Sequence, residues 1–152
     1  MNLQEIFHDK QKNFAFTLIE LLLVITIISI VGLFTSPIGI SFYQSQLLNE
    51  TSSGLLSALR QAQSFAVSGK HDNPFGVYIS QDSYVIFEGD SYLSRIESEN
   101  QVFMKVSSVD ISGSNEIVFS EITGEPSFLG TLFISSGNKQ AQIEVRDSGN
   151  IE

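Results

Sequence analysis

The chain has 152 residues, which fits one domain, or one small domain with an extra element. Hydrophobic residues make up 42% and charged residues 16%, which excludes a disordered chain; a formal net charge of -9 excludes a fold-wide basic footprint for nucleic acid. There is no cysteine, hence no disulfide framework, zinc–thiolate site or cysteine nucleophile, and the redox compartment is not readable.

Residues 1–15 read MNLQEIFHDKQKNFA, a polar leader carrying Lys10 and Lys12. Phe16 to Phe34 then reads FTLIELLLVITIISIVGLF, 19 residues with one charge, Glu20. A bilayer core needs about 20 apolar residues as helix, and continuation through Ile40 reaches that length. A buried core helix fits less well, because the stretch shows no polar face. Residues 16–40 are therefore expected to span a membrane. Lys10 and Lys12 keep the N-terminus on the cytoplasmic side and place the rest outside. An ordinary secretory signal would be cut after the apolar run, where Thr35, Ser36, Pro37, Ile38 and Gly39 stand. The alternative is a cut before it, leaving the helix on the mature protein.

Beyond Ser41 few helix breakers occur up to Ser68. Leu48, Leu55, Leu59, Ala62 and Ala66 fall on one helical stripe, with Glu50, Arg60, Gln61 and Gln63 off it. Gly54 is tolerated at a cost of about 1 kcal/mol relative to Ala. One helix from about Phe16 to Ser68 would be roughly 80 Å long, bent or loosened at Gly32, Pro37 and Gly39. Its amphipathic second half must lie against something, most simply a sheet.

The remainder reads as short strands. Phe75–Ser80 and Tyr84–Glu88 form a hairpin, followed by Gln101–Val106, Glu116–Ser120, Ser127–Ser135 as one bent strand or a pair, Gln140–Val145 and Asn150–Glu152. Turn residues separate them, notably Gly124-Glu125-Pro126 and Ser136-Gly137-Asn138. The expected fold is α+β: a long N-terminal helix, membrane-spanning in its first half and amphipathic in its second, packed on a C-terminal antiparallel β-sheet sandwich. The domains are a leader (1–15), a transmembrane helix (16–40) and a soluble domain (41–152, with helix to 68 and sheets over 75–152).

Asn13 to Val24, NFAFTLIELLLV, closely resembles the class III signal sequence of type IV pilins and pseudopilins. Phe16, Thr17, Leu18, Ile19 and Glu20 match that family position by position, with Ala15 in place of the usual Gly. Pro37 stands where many members carry a helix-kinking proline. The C-terminal part more loosely resembles the H-type minor pseudopilin (GspH/FimT-like) group, through Leu56–Ala66 and Ile143–Glu152. The resemblance implies cleavage between Ala15 and Phe16 by a prepilin peptidase and N-methylation of Phe16. It also implies a single-pass protein of the cytoplasmic (inner) membrane with its C-terminal domain outside. The partners it implies are other pilins or pseudopilins through the helix, and the inner-membrane assembly platform.

Glu20 is the central candidate residue. A charge at mid-membrane costs about 2.5–3.5 kcal/mol on insertion scales. Cleavage before Phe16 would create an α-ammonium one turn away, and opposite charges at about 4 Å attract by roughly 4 kcal/mol at an effective dielectric near 20. In the family the partner ammonium belongs to a neighbouring subunit. The alternative for Glu20 is a carboxylate snorkelling to the headgroups. Thr17, Thr26 and Ser29 read as packing residues with hydroxyls bonded back to the backbone. His71 reads as a solvated loop histidine, and Asp72, Asp82 and Asp90 lack calcium-loop spacing. No catalytic motif, cofactor or metal is expected. From Ser41 onward there are 6 basic and 14 acidic residues. That balance disfavours the first alternative, a DNA-binding competence pilin, although Lys139 and Arg146 could form a small patch. The second alternative is a membrane-anchored binding module unrelated to filaments.

Overall fold

The computed structural model describes residues 16–147 and 150–152, without the side chains of 34–38. The chain divides into two compact units, Met1–Gly39 and Ile40–Glu152. One helix, α1 (Leu18–Val67), enters both. In the first unit every residue from Phe16 to Leu33 is exposed. This stretch carries isoleucine, leucine and valine on all sides of the helix, so no element of its own unit covers them among the described residues. The described run Leu18–Leu33 rises about 24 Å, short of a hydrocarbon core of about 30 Å. Among the described residues no helix is long and apolar enough to cross a membrane. Pro37 lies within α1, but the kink expected there falls among side chains outside the described residues.

In the second unit the helix meets seven strands: β1 (Phe75–Ile79), β2 (Ser83–Glu88), β3 (Gln101–Met104), β4 (Asp110–Ser112), β5 (Glu116–Phe119), β6 (Gly130–Ser136) and β7 (Lys139–Val145). They form two antiparallel sheets, ordered β3-β2-β1-β5 and β4-β6-β7. The predicted helical stripe is the buried one: Leu48, Leu55, Leu59, Ala62 and Ala66 all lie in the core. They share one cluster with Val77, Ile86 and Ile117 of the first sheet and Leu132, Ile134 and Ile143 of the second. Alternation along the strands selects these residues, since period-two spacing sends every second side chain to the helix.

The expected strands recur with shifted ends. Ser127–Ser135 is a strand only from Gly130, and Pro126 makes an isolated bridge to Phe119. The closing segment is a bridge, Ile151 to Val145, completed by reciprocal backbone bonds between Glu144 and Glu152. β4 and three 3-10 turns, Lys70–Asp72, Tyr92–Ser94 and Glu97–Glu99, were not expected. Tyr92 of the second turn stacks on Tyr78 with ring centroids 3.9 Å apart and covers the face of the first sheet that points away from the helix.

Gly54 has a packing reason that helix propensity misses. A Cβ there would run into the hydroxyl of buried Tyr84, while the ring carbon beneath that hydroxyl would be 3.6 Å away, an ordinary contact. Gly54→Ala should therefore lower the stability of residues 41–152, overpacking by about 1–3 kcal/mol against a propensity gain of about 1 kcal/mol. In a Tyr84→Phe background the sign should reverse, because the obstructing oxygen is gone. Urea denaturation of the four proteins of this cycle measures both effects.

Candidate functional site

Two places hold the functional candidates. The first is the start of α1. Thr17 caps it: its Oγ1 accepts from the Glu20 backbone N–H at 3.3 Å, and its carbonyl accepts from Glu20 and Leu21 at 3.1 Å. Thr17-Leu18-Ile19-Glu20 therefore has the spacing of a capping box, in which the N-cap hydroxyl satisfies a free N–H of the first turn. This corrects the reading of Thr17 as back-bonded, which holds for Thr26 (to the Leu22 carbonyl) and Ser29 (to the Ile25 carbonyl), each at 2.7 Å. Glu20 is exposed, and its carboxylate has no hydrogen bond or ion pair among the described residues. Phe16 is exposed beside it, whereas Ala15 and the leader lie outside the described residues. Ile19, Leu22, Leu23, Thr26 and Ile27 line a shallow apolar depression one turn further on.

The second place is the loop after α1, where Glu88 is a carboxylate only 1% exposed. His71 Nδ1 lies 2.8 Å from its Oε2, and Asn73 Nδ2 donates to its Oε1 at 2.8 Å. The loop reaches this geometry through left-handed backbone at Gly69, His71 and Asp72. His71 is an exposed loop histidine, as expected, and is in addition the partner of a buried charge. Burial by itself would raise the Glu88 pKa. The hydrogen bonds from His71 and Asn73, with the charges of His71 and Lys70, outweigh it and hold the carboxyl below its ordinary 4.5. Glu99 joins from the third 3-10 turn, its carboxylate 3.8 Å from the Lys70 ammonium. Ligand atoms of His71, Glu88 and Glu99 lie within 4.8 Å of one another, the one arrangement among the described residues able to hold a metal ion. Both carboxylates already have partners in the protein. Sequence carried one signal for Glu88: it occupies the same alternating face of β2 as Tyr84 and Ile86.

The six cations beyond Ser41 do not form a patch. Arg146 pairs with Glu144 at 2.8 Å and Glu152 at 3.6 Å, Arg95 with Glu97 at 2.8 Å, and Lys70 with Glu99. Arg60 donates to the Ile151 carbonyl, Lys105 to the Val109 carbonyl, and Lys139 to the Ser45 hydroxyl. Lys139 and Arg146 sit at opposite ends of β7, about 23 Å apart at ~3.3 Å per residue, so the small patch considered from sequence is not formed. A concavity bordered by Asp90, Glu116 and Glu121 gathers acids without a histidine or lysine in its lining.

Because the folded pKa of Glu88 is depressed, its contribution to stability is present above its unfolded pKa near 4.5 and is lost as pH falls through the folded value. Residues 41–152 should therefore lose stability on acidification below about pH 4.5, and Glu88→Gln should flatten that acid limb. Urea midpoints measured from pH 3 to pH 7 test both.

Residues 10–36 match the family model of the prokaryotic N-terminal methylation motif. No curated protein and no solved structure matches the chain. The start of α1, with Phe16, the capping Thr17 and Glu20, which has no partner among the described residues, falls inside the matched residues, and over that stretch the chain carries the motif of type IV pilin-like proteins.

Proposed function

We propose that the chain is a minor pseudopilin or minor pilin of the H-type (GspH/FimT-like) kind, a structural subunit of a type II secretion pseudopilus or type IV pilus. It is made with a cytoplasmic leader, anchored in the inner membrane by residues 16–40, processed by a prepilin peptidase, and drawn into a filament with residues 41–152 outside. One observation carries this reading. A helix whose residues are exposed and apolar on every side from Phe16 to Leu33 bears one carboxylate with no partner among the described residues, within the matched methylation motif. Surface of that kind needs lipid or other helices to cover it. The role asked of the protein is structural, and no enzyme chemistry enters it. A DNA-binding competence role is disfavoured, since Lys70, Arg95 and Arg146 pair with acids of the domain and 14 acids stand against 6 bases from Ser41 onward.

Glu20 then acts in docking. Inside a bundle of apolar helices its carboxylate pairs with the N-terminal ammonium of a neighbouring subunit, which fixes register where apolar packing alone does not. Pro37 marks the place where the helix is loosened.

Mass spectrometry of membrane-extracted protein should find Phe16 as the first residue, carrying a methyl group. A chain starting at Met1, or after Ser36 or Gly39, would refute the processing and favour an ordinary anchor or secretory signal. Glu20→Ala should leave insertion and cleavage intact, because the cost of membrane burial falls. Its incorporation should drop roughly 30-fold or more, from about 2–5 kcal/mol lost on truncating one partner of a buried pair. Crosslinking to partner pilins against a normal membrane pool measures this, and full incorporation would leave Glu20 as a snorkelling carboxylate.

A further inference from the structure

We propose that Phe42 and Tyr43, with Lys139 beside them, sit in the phospholipid headgroup zone of the outer leaflet and set the height of the folded domain above the membrane before assembly. The proposal rests on the anchored reading above.

In the unit Ile40–Glu152 the helix starts with an apolar turn that the sheets do not cover. Ile40 is 62% exposed, Phe42 71% and Tyr43 59%, whereas Leu47 and Leu48 are already buried in the core. Phenylalanine and tyrosine in solvent are unusual at the edge of an acidic domain, but aromatic side chains favour the membrane–water boundary, and tyrosine can keep its hydroxyl wet there.

The spacing agrees. Phe42 and Tyr43 stand 24 and 25 residues after Leu18, just past the about 20 apolar residues that a hydrocarbon core needs as helix.

The charge agrees as well. Lys139 donates to the Ser45 hydroxyl, one helical turn beyond Phe42. The tip of the β6–β7 hairpin is held there: Gly137, at φ 60°, packs so closely on the Gln44 carboxamide that a Cβ would collide with it. Residues 40–49 and the hairpin tip 136–139 carry Lys139 as their one charge, flanked by Glu50 and by Asp110 opposite Ser135, so a single ammonium is offered there. Phosphate headgroups complement it.

The chain has no tryptophan, so single tryptophans report one place at a time. Full-length Phe42→Trp, Val24→Trp and Leu93→Trp are reconstituted in vesicles of phosphatidylcholine and phosphatidylglycerol, with and without lipids brominated near the glycerol backbone or deep in the acyl chain. All three positions are exposed, so the fold tolerates the change. Phe42→Trp should be blue-shifted relative to Leu93→Trp and quenched most by the shallow bromines, with Val24→Trp quenched most by the deep ones. Lys139→Gln should weaken the dependence of the Phe42→Trp signal on phosphatidylglycerol. Emission at Phe42→Trp like that of Leu93→Trp, with Val24→Trp quenched, would overturn the proposal and leave the anchor standing. A blue shift without bromine quenching would also overturn it, because another helix would then be the cover. Loss of quenching at Val24→Trp would remove the anchored reading and the proposal together.

Discussion

A helix can satisfy its backbone anywhere, but its side chains must find a medium, and α1 is written for two. Its second part carries a stripe that two small antiparallel sheets cover, and the core of the soluble unit is that covering. Its first part has no stripe to cover: apolar side chains stand on every side, with Glu20 the one charge. The core-facing side chains of the following strands are used on Leu48 to Ala66. The protein is therefore complete as a domain and incomplete as a helix.

The two carboxylates set among apolar side chains show the same division. Glu88 is buried and has its partners in its own chain, His71 and Asn73, at hydrogen-bond distance. Taking a charge out of water without such partners costs several kcal/mol. Glu20 has none among the described residues, apart from the bond its backbone N–H gives Thr17. Cover for the first part of the helix would bring Glu20 into the condition that Glu88 already meets, and would require the same solution from outside the chain. The capping threonine adds a local task to the motif: it starts the helix at Leu18, which fixes where Glu20 stands on the first turn.

Periodic features were legible from sequence because burial enforces them. The stripe from Leu48 to Ala66 and the alternation of β5 and β7 follow from single faces turned to one core, whereas β2 is buried on both faces. β4 escaped notice because Asp110-Ile111-Ser112 turns one apolar residue inward and has no period to detect. The 3-10 turns are held by local bonds, such as Ser91 with Ser94, which composition does not distinguish from loop. The His71–Glu88 pair joins residues 17 apart through left-handed backbone at His71 and Asp72, two residue types enriched in that conformation but far commoner outside it, so the sequence does not single them out. Gly54 was legible as a cost and illegible as a fit, since the oxygen above it belongs to a strand thirty positions away.

The internal engagement of the cations shapes how copies of the domain meet one another. With Arg95, Arg146 and Lys70 held by acids of their own chain, little positive surface is left to offer a neighbour's carboxylates. Identical domains brought side by side would act as like-charged colloids, their repulsion reaching about 30 Å at 0.01 M salt and about 8 Å at 0.15 M. Copies of this domain stacked alone would thus be resisted more in dilute medium than in brine. On the reading proposed above, a single copy among less acidic neighbours would meet less of that resistance.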